Sequence, residues 1–409
     1  MQKFLNFFSL YFSFFVRIIS GLAVLPFFSR HLNNASYNQL LIEISFSTWV
    51  LIVVEFGFNL TGTRSITMAK NDNEIMDINS NILGVKSLIL LFLILIYFII
   101  NAFFVRLSVW SVFFAFFQST LPYWYYQARD KLQTVSIYEA SGRLLQLVSV
   151  LFMFQLNING YEFYFISGTA IFLVLSVFLS LNMLKIHRPN VTSINLHSIG
   201  SLVRSSFQIF MFNTVTSIYT TATTFILGLL HVPNLSSFGN GDKIYKTSLS
   251  IFQPINQLVF PKAVKQFAIS NKEGFKFIAK ITPLLLIGSL IYTFFIILLS
   301  SRVVYILFGN KYPYSNEIVT LLCLSIPFSM INNILGYYII LANNLDKILN
   351  SIYIIISLVS MTLMFVFIPS YGILGMAWII VFSEFIASIS MGTFIFQWLY
   401  RKSVYKGVI

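Results

Sequence analysis

Ser87-Leu-Ile-Leu-Leu-Phe-Leu-Ile-Leu-Ile-Tyr-Phe-Ile-Ile-Asn101 holds thirteen consecutive apolar residues and no charge, inside a segment, Asn81–Phe104, whose only ionisable group of fixed charge is Lys86. A helix of about 20 such residues spans the roughly 30 Å hydrocarbon core of a bilayer. The same reading extends outward in both directions. Polar, Gly or Pro punctuation divides the chain into twelve segments of this kind: Phe4–Phe28, Asn38–Phe58, Asn81–Phe104, Ser108–Tyr126, Val135–Leu156, Tyr161–Leu184, Val203–Leu230, Phe238–Phe260, Ile281–Ser300, Ser315–Leu341, Leu349–Ile368 and Gly372–Leu399. The expected fold is therefore an all-α polytopic membrane protein.

Composition excludes the soluble alternative. Of 409 residues, 57% are hydrophobic and only 10% charged, with 45 Phe, 21 Tyr and a mean hydropathy of +0.82. An average soluble chain is about 25% charged. The single cysteine, Cys323, rules out an internal disulfide framework and a Cys-based metal cluster. Lys3 followed by Phe4–Val16 has the look of a signal peptide, but the apolar stretch resumes past Arg17 to Phe28 with no small-residue cleavage site, so it reads as an uncleaved first helix.

The net charge of +13 is distributed unevenly. With twelve spans, sixteen loop cations fall on one face (Lys3, Arg64, Lys70, Arg129, Lys131, Lys185, Arg188, Lys262, Lys265, Lys272, Lys276, Lys280, Lys347, Arg401, Lys402, Lys406) and four on the other (Arg30, Arg106, Arg302, Lys311). The positive-inside rule then places both termini in the cytoplasm. A faint internal repeat supports two halves. Gln127–Tyr138 and Leu341–Tyr353 match at an offset of 216 through Lys131 and Lys347, and Ser36-Tyr37 matches Ser237-Phe238 at 201. An offset of six spans preserves orientation, so the repeats are parallel about the membrane normal, as in transporters with two lobes. The expected organisation is a six-helix lobe over 1–186, a cytoplasmic linker over 187–202, a second six-helix lobe over 203–399 related to the first by pseudo-twofold symmetry, and a cytoplasmic tail over 400–409.

Six cations remain inside spans: Arg17, Lys86, Arg143, Arg204, Lys243 and Lys246. Arg17 sits mid-helix, where an unpaired arginine costs about 2.5–3.5 kcal/mol on insertion scales; it reads equally as a structural partner or as a cavity cation for an anionic substrate. Lys86 and Arg204 lie near helix ends and are expected to snorkel to the interface. Glu139 with Arg143, and Asp242 with Lys246, have the four-residue spacing of an intrahelical ion pair. Gly239-Asn-Gly-Asp-Lys243 reads as an interrupted helix start, the type of place where transporters set sites. The deep acids are Glu43, Glu139, Asp242 and Glu384, with Glu55 nearer a helix end, and ion coupling must draw on these. The run Asn213, Thr214, Thr216, Ser217, Thr220, Thr221, Thr223 and Thr224 is rich in hydroxyls, suited to close helix packing or to a sugar-facing lining. No G-x-x-x-x-G-K-[ST] loop and no H-E-x-x-H occurs, so neither an ATP site nor a cofactor is expected, and the basic loops match anionic lipid without any need for nucleic acid.

Three stretches then carry a resemblance: Glu55-Phe-Gly-Phe-Asn-Leu-Thr-Gly-Thr-Arg-Ser-Ile66; Pro122-Tyr-Trp-Tyr-Tyr-Gln127 with Asp130-Lys131; and Asp242-Lys243-Ile244 with Pro254-Ile-Asn-Gln257 and Phe260-Pro261. In this order and spacing the chain resembles O-antigen flippases of the Wzx type, in the polysaccharide transporter branch of the multidrug/oligosaccharidyl-lipid/polysaccharide superfamily. Ala128 stands where those flippases usually have Gly.

The resemblance implies a multidrug-exporter-like fold in the bacterial inner membrane. The implied non-enzymatic function is flipping of undecaprenyl-diphosphate-linked repeat units from the cytoplasmic to the periplasmic leaflet by alternating access around a cationic cavity. It also implies membrane lipid, a polysaccharide polymerase and a chain-length regulator as partners. On that reading Arg17, Arg143, Lys243 and Lys246 bind the substrate, and Glu55, Asp242 or Glu384 couples an ion. An interior-negative potential drives each anionic charge outward by about 2.3 kcal/mol per 100 mV, provided the binding cations stay behind. The alternatives are a multidrug cation antiporter of the same superfamily and a membrane O-antigen polymerase or ligase; the latter normally has a large periplasmic loop, which the short loops here do not provide.

Overall fold

Short polar caps and left-handed turns cut the apolar chain into helices. Asn33, Asn71 and Ser270 each accept a backbone N–H three residues on, from Ser36 (2.8 Å), Glu74 (2.8 Å) and Glu273 (3.1 Å), which satisfies a donor that would otherwise be left unpaired at the helix start. Asn234 and Asn344 take positive φ at the turns.

In the computed structural model, which describes residues 2–156, 160–186 and 196–406, every regular element is helical and no strand occurs among the described residues. The order is α1 (Gln2–His31), α2 (Asn34–Glu55), α3 (Phe58–Met68), α4 (Asp72–Phe103), α5 (Val109–Ser119), α6 (Tyr123–Ala128), α7 (Leu132–Gln155), α8 (Glu162–Ile186), α9 (Leu196–Thr220), α10 (Thr223–Leu229), α11 (Leu235–Ser250), α12 (Gln253–Ile269), α13 (Asn271–Phe308), α14 (Ser315–Cys323) and α15 (Ile326–Asn332). A π-helical segment (Asn333–Ile340) and a 3-10 turn (Leu341–Asn343) lead to α16 (Asp346–Lys406), which is bent at Gly372.

Each of the twelve apolar segments overlaps helix, but several are not single rods. The second runs on past a break into α3, so Arg64 stands on a helix and not in a loop. The fourth is α5 plus α6, the seventh α9 plus α10, the eighth α11 plus α12, and the tenth passes through α14, α15 and the π segment. By length and hydropathy seven described helical stretches qualify as membrane crossings, among them 346–400, whose 55 residues lie on both sides of the Gly372 bend. The predicted linker falls largely on 187–195, outside the described residues, while 196–202 opens α9; the predicted tail is helical through Lys406.

Burial departs from that of a soluble protein in what it leaves outside as well as in what it encloses. Large apolar side chains such as Phe98, Phe103, Leu284, Phe294 and Phe365 are exposed, whereas Glu43, Asn79, Lys86 and Asn240 are buried. This is the pattern expected when the surrounding solvent is lipid.

By contact the described chain divides into two compact units, 1–217 with 221–230, and 218–220 with 231–409. In the first unit α1 packs on α7, α5 on α8 and α2, and α3 on α6. Most of α9 and all of α10 belong here: Ser45 donates to the Thr221 carbonyl at 3.0 Å and accepts from the Phe225 N–H at 3.1 Å, and Phe56 stacks on Phe210 at 4.1 Å. The division by contact and the sequence division at Val203 therefore part company at this helix. In the second unit α11 packs on α14, α12 on α13, and α15 and the π segment on α16.

Candidate functional site

In the first unit two of the recognisable stretches meet around one buried cation. After Glu55, Phe56 (φ 51°) and Gly57 (φ 76°) both turn left-handed, so α2 stops and α3 restarts. Asn59 bridges the break by donating to Glu55 Oε1 at 2.7 Å. Gly57 is needed twice over there. Its φ disfavours any Cβ, and an added Cβ would lie 2.8 Å from Ile209 Cγ2. A Gly57→Ala variant is expected to lose about 1–3 kcal/mol of stability, read as a lower unfolding midpoint in detergent.

Lys86, expected to snorkel, instead has no exposed surface. Its ammonium donates to the Ser119 carbonyl, at the last residue of α5, and lies 4.3 Å from the centre of the Trp124 ring. The acid that acts on it electrostatically is Glu55. Trp124 is fixed in turn by donating its indole N–H to Asn79 Oδ1 at 2.7 Å, and its carbonyl accepts from Thr63 at 3.2 Å. The physical reason for the correction is that a hydrogen-bonded, ring-faced, countercharged site satisfies the ammonium better than a stretched path to the interface.

Glu43 serves the opposite end of the same helix. Its Oε1 accepts from the Ser108 N–H at 2.8 Å, from Tyr161 Oη at 3.2 Å and from Gln39 at 3.3 Å, with no exposed surface. Thus α5 has a buried carboxylate at its positive end and a buried ammonium at its negative end, as its macrodipole favours. Both groups have structural partners, and the second oxygen of Glu43, Oε2, is buried with no hydrogen-bond donor.

Arg143 lies 3.7 Å from Glu139 and its guanidinium faces the Phe172 ring at 5.5 Å; Tyr123 donates its hydroxyl to Glu139. The Arg143 Nε, by contrast, is buried with no hydrogen-bond acceptor. Arg204 is exposed. Arg17 is within α1, and its side chain lies outside the described residues.

In the second unit Lys246 donates to Asp242 Oδ2 at 2.6 Å, while Lys243 is half-buried on the same helix. Here the expected interrupted start is corrected: α11 runs unbroken from Leu235 to Ser250, and the break comes later, at Ile251-Phe252. Gly241 serves packing, because a Cβ there would come within 2.5 Å of Ile318 Cγ2 on α14.

Glu384 of α16, like Glu43, is held by neutral donors. Its Oε2 accepts from Ser329 at 3.0 Å and from Asn332 at 2.8 Å, and Asn332 Oδ1 accepts from Ser388 at 2.8 Å. No cation pairs with it among the described residues. Ser325 donates to Tyr245 Oη at 2.6 Å, and Tyr245 feels both Glu384 and Asp242 electrostatically. Directly after Asn332 the chain enters the π segment, where Tyr338 donates to Asn256 Oδ1 at 2.5 Å. Such π segments recur at functional sites. Ser329, Asn332, Ser388 and Tyr245 were not singled out from sequence; the Asn332-Asn333 pair inside an apolar span was the one local signal.

The hydroxyls of α9 are used mainly along their own helix: Thr216 donates to the Phe212 carbonyl at 2.8 Å and Ser217 to that of Thr214 at 2.7 Å. No group of three or more His, Cys, Asp or Glu able to hold a metal occurs among the described residues.

No family model matches the chain. Among curated proteins it is 24% identical over 333 residues to the "Putative O-antigen transporter" of Escherichia coli (strain K12), covering 78% of each chain, and 24% identical over 380 residues to the protein of the same description from Shigella dysenteriae, covering 88% of this chain and 92% of that one. Among solved structures it matches lipid II flippase MurJ in an inward closed conformation with a TM-score of 0.73 at 17% identity, over 96% of this chain and 87% of that one. It also matches an inward-facing multidrug resistance MATE family transporter of the MOP superfamily with a TM-score of 0.72 at 12% identity, over 97% and 95%. The fold is that of MOP-superfamily transporters, and the relatives are named as transporters and flippases, not enzymes.

Proposed function

We propose that this chain is a flippase for lipid-linked oligosaccharides, moving undecaprenyl-diphosphate-linked O-antigen or similar repeat units from the cytoplasmic to the periplasmic leaflet of the bacterial inner membrane by alternating access. Similarity to the two O-antigen transporters over most of the chain supports the substrate class, and the MurJ-like fold supports lipid-linked transport. Twelve passes, cytoplasmic termini and two six-helix lobes complete the proposal, with a polymerase and a chain-length regulator as functional partners.

The observation that carries it against a cation antiporter of the same fold is the state of the acids. Glu139 and Asp242 are paired with Arg143 and Lys246, Glu55 acts with Lys86, and Glu43 caps α5. A cationic drug would find these carboxylates already engaged by other groups, whereas a diphosphate can compete for the cations. In this reading Arg17, Arg143, Lys243 and Lys246 bind the diphosphate. Glu384, held by side-chain donors that are all neutral and not spent on capping a helix as Glu43 is, is the foremost coupling candidate, ahead of Asp242 and Glu55.

Proteoliposomes holding a fluorescent undecaprenyl-diphosphate oligosaccharide test this directly. The label is expected to become accessible on the far leaflet at a rate that depends on the protein, with no pH-gradient-driven uptake of a cationic dye by the same vesicles. Dye transport without lipid flipping reverses the assignment.

A further inference from the structure

The hairpin of α12 and α13 meets the site described above through Asn256, near the start of α12, while its far end, around the turn at Ser270, has no part in that site. Between Gln253 and Lys280 it has five lysines, Lys262, Lys265, Lys272, Lys276 and Lys280, all exposed, against one acid, Glu273. None of the five is paired with an acid among the described residues. A surface kept soluble by charge alone would mix the signs.

Their depth is fixed by the helix they stand on. Directly after Lys280, α13 continues without a break into Ile281–Ser300, twenty residues free of charge and about 30 Å long, enough to cross the hydrocarbon core. Lys280 therefore stands at the hydrocarbon boundary. Lys276 is about 6 Å and Lys272 about 12 Å further out, and a headgroup layer is roughly 5–7 Å thick. The antiparallel register follows from Phe267, whose ring meets that of Phe275 at 5.3 Å. It sets Lys262 level with Lys280 and Lys265 level with Lys276. Two tiers of two lysines thus ring the headgroup layer, with Lys272 above them.

We infer that the α12–α13 hairpin is a binding surface for anionic phospholipid headgroups, an electrostatic anchor separate from the transport site. Lysine stems lie along the helix flank while the ammonium groups reach phosphate, and each basic residue near an anionic surface contributes about 1 kcal/mol. The inference requires only that the hairpin stands at the membrane surface, so it survives or fails independently of the transported substrate.

Purified full-length protein, stripped of lipid in detergent and offered equal amounts of phosphatidylglycerol and phosphatidylcholine of matched chains, tests it by native mass spectrometry. Wild type is expected to retain phosphatidylglycerol in preference. The variant with Lys262, Lys265, Lys272, Lys276 and Lys280 all changed to Gln is expected to lose that preference by at least about tenfold, and the five Lys→Arg changes to preserve it. A photoactivatable phosphatidylglycerol crosslinked to wild type, which needs no variant to fold, is expected to label peptides within 262–280. Wild type indifferent to headgroup charge, a Gln variant with unchanged preference, or crosslinks confined to other segments would each overturn the inference. Indifference to lipid charge would turn attention to an acidic protein as the occupant.

Discussion

Lys86→Met is expected to lower the thermal unfolding midpoint in detergent by about 5–10 °C, corresponding to about 3–5 kcal/mol for a buried charge whose partner has been removed. The variant would leave the Ser119 carbonyl without its charged donor and Glu55 without the cation that acts on it. It would also take the ammonium from the face of Trp124. The cost arises mainly from what remains, not from what is lost: a buried carbonyl without its donor, and a carboxyl group in a membrane protein interior with no counter-ion. The double variant Lys86→Met, Glu55→Gln is therefore expected to recover more than half of the deficit. A Lys86→Met protein as stable as wild type would show that the lysine is dispensable to the fold and would reopen snorkelling as its reason for being there.

Arg143→Ala and Lys246→Ala are each expected to reduce flipping of the labelled lipid-linked oligosaccharide by about 10–100-fold, since one charge-assisted hydrogen bond to phosphate is worth about 1.5–3 kcal/mol. Arg143→Lys is expected to keep most of the rate if charge rather than the guanidinium fork is what matters. The ion pairs complicate a simple reading, because a cation that only neutralises its acid would give the same single-variant result. Removing both members separates the cases. If Lys246 serves only Asp242, which it meets at 2.6 Å, then Asp242→Asn with Lys246→Ala restores transport. If Lys246 binds the diphosphate, the double variant stays slow and Asp242→Asn alone does not. Glu139→Gln with Arg143→Ala makes the same comparison in the first unit, where the pair is looser at 3.7 Å.

The local pairs of this protein were legible in the chain. Four-residue spacing brought Glu139 to Arg143 and Asp242 to Lys246 because a helix turn fixes that geometry wherever the helix lies. The glycines around Asp242 were misread for a related reason. Gly239 and Gly241 can loosen a helix start or admit a neighbouring helix, and nothing local distinguishes the two; α14 against Gly241 decides it. The setting of Glu384 was out of reach as well. Its donors Ser329 and Asn332 stand 55 and 52 residues away, on a different helix.

Hydropathy and charge placement are sums over neighbours in sequence, and they suffice to say that this chain is helical and lives in lipid, since a backbone in hydrocarbon must satisfy its own hydrogen bonds. Tertiary structure alone decided which ionisable groups are already committed. Lys86 is bound to a carbonyl 33 residues on, and Glu43 to an N–H 65 residues on, at opposite ends of α5. Desolvation sets a high cost on any unpaired charge, but the partner that offsets it is chosen by how helices pack, and that packing leaves no trace in spacing.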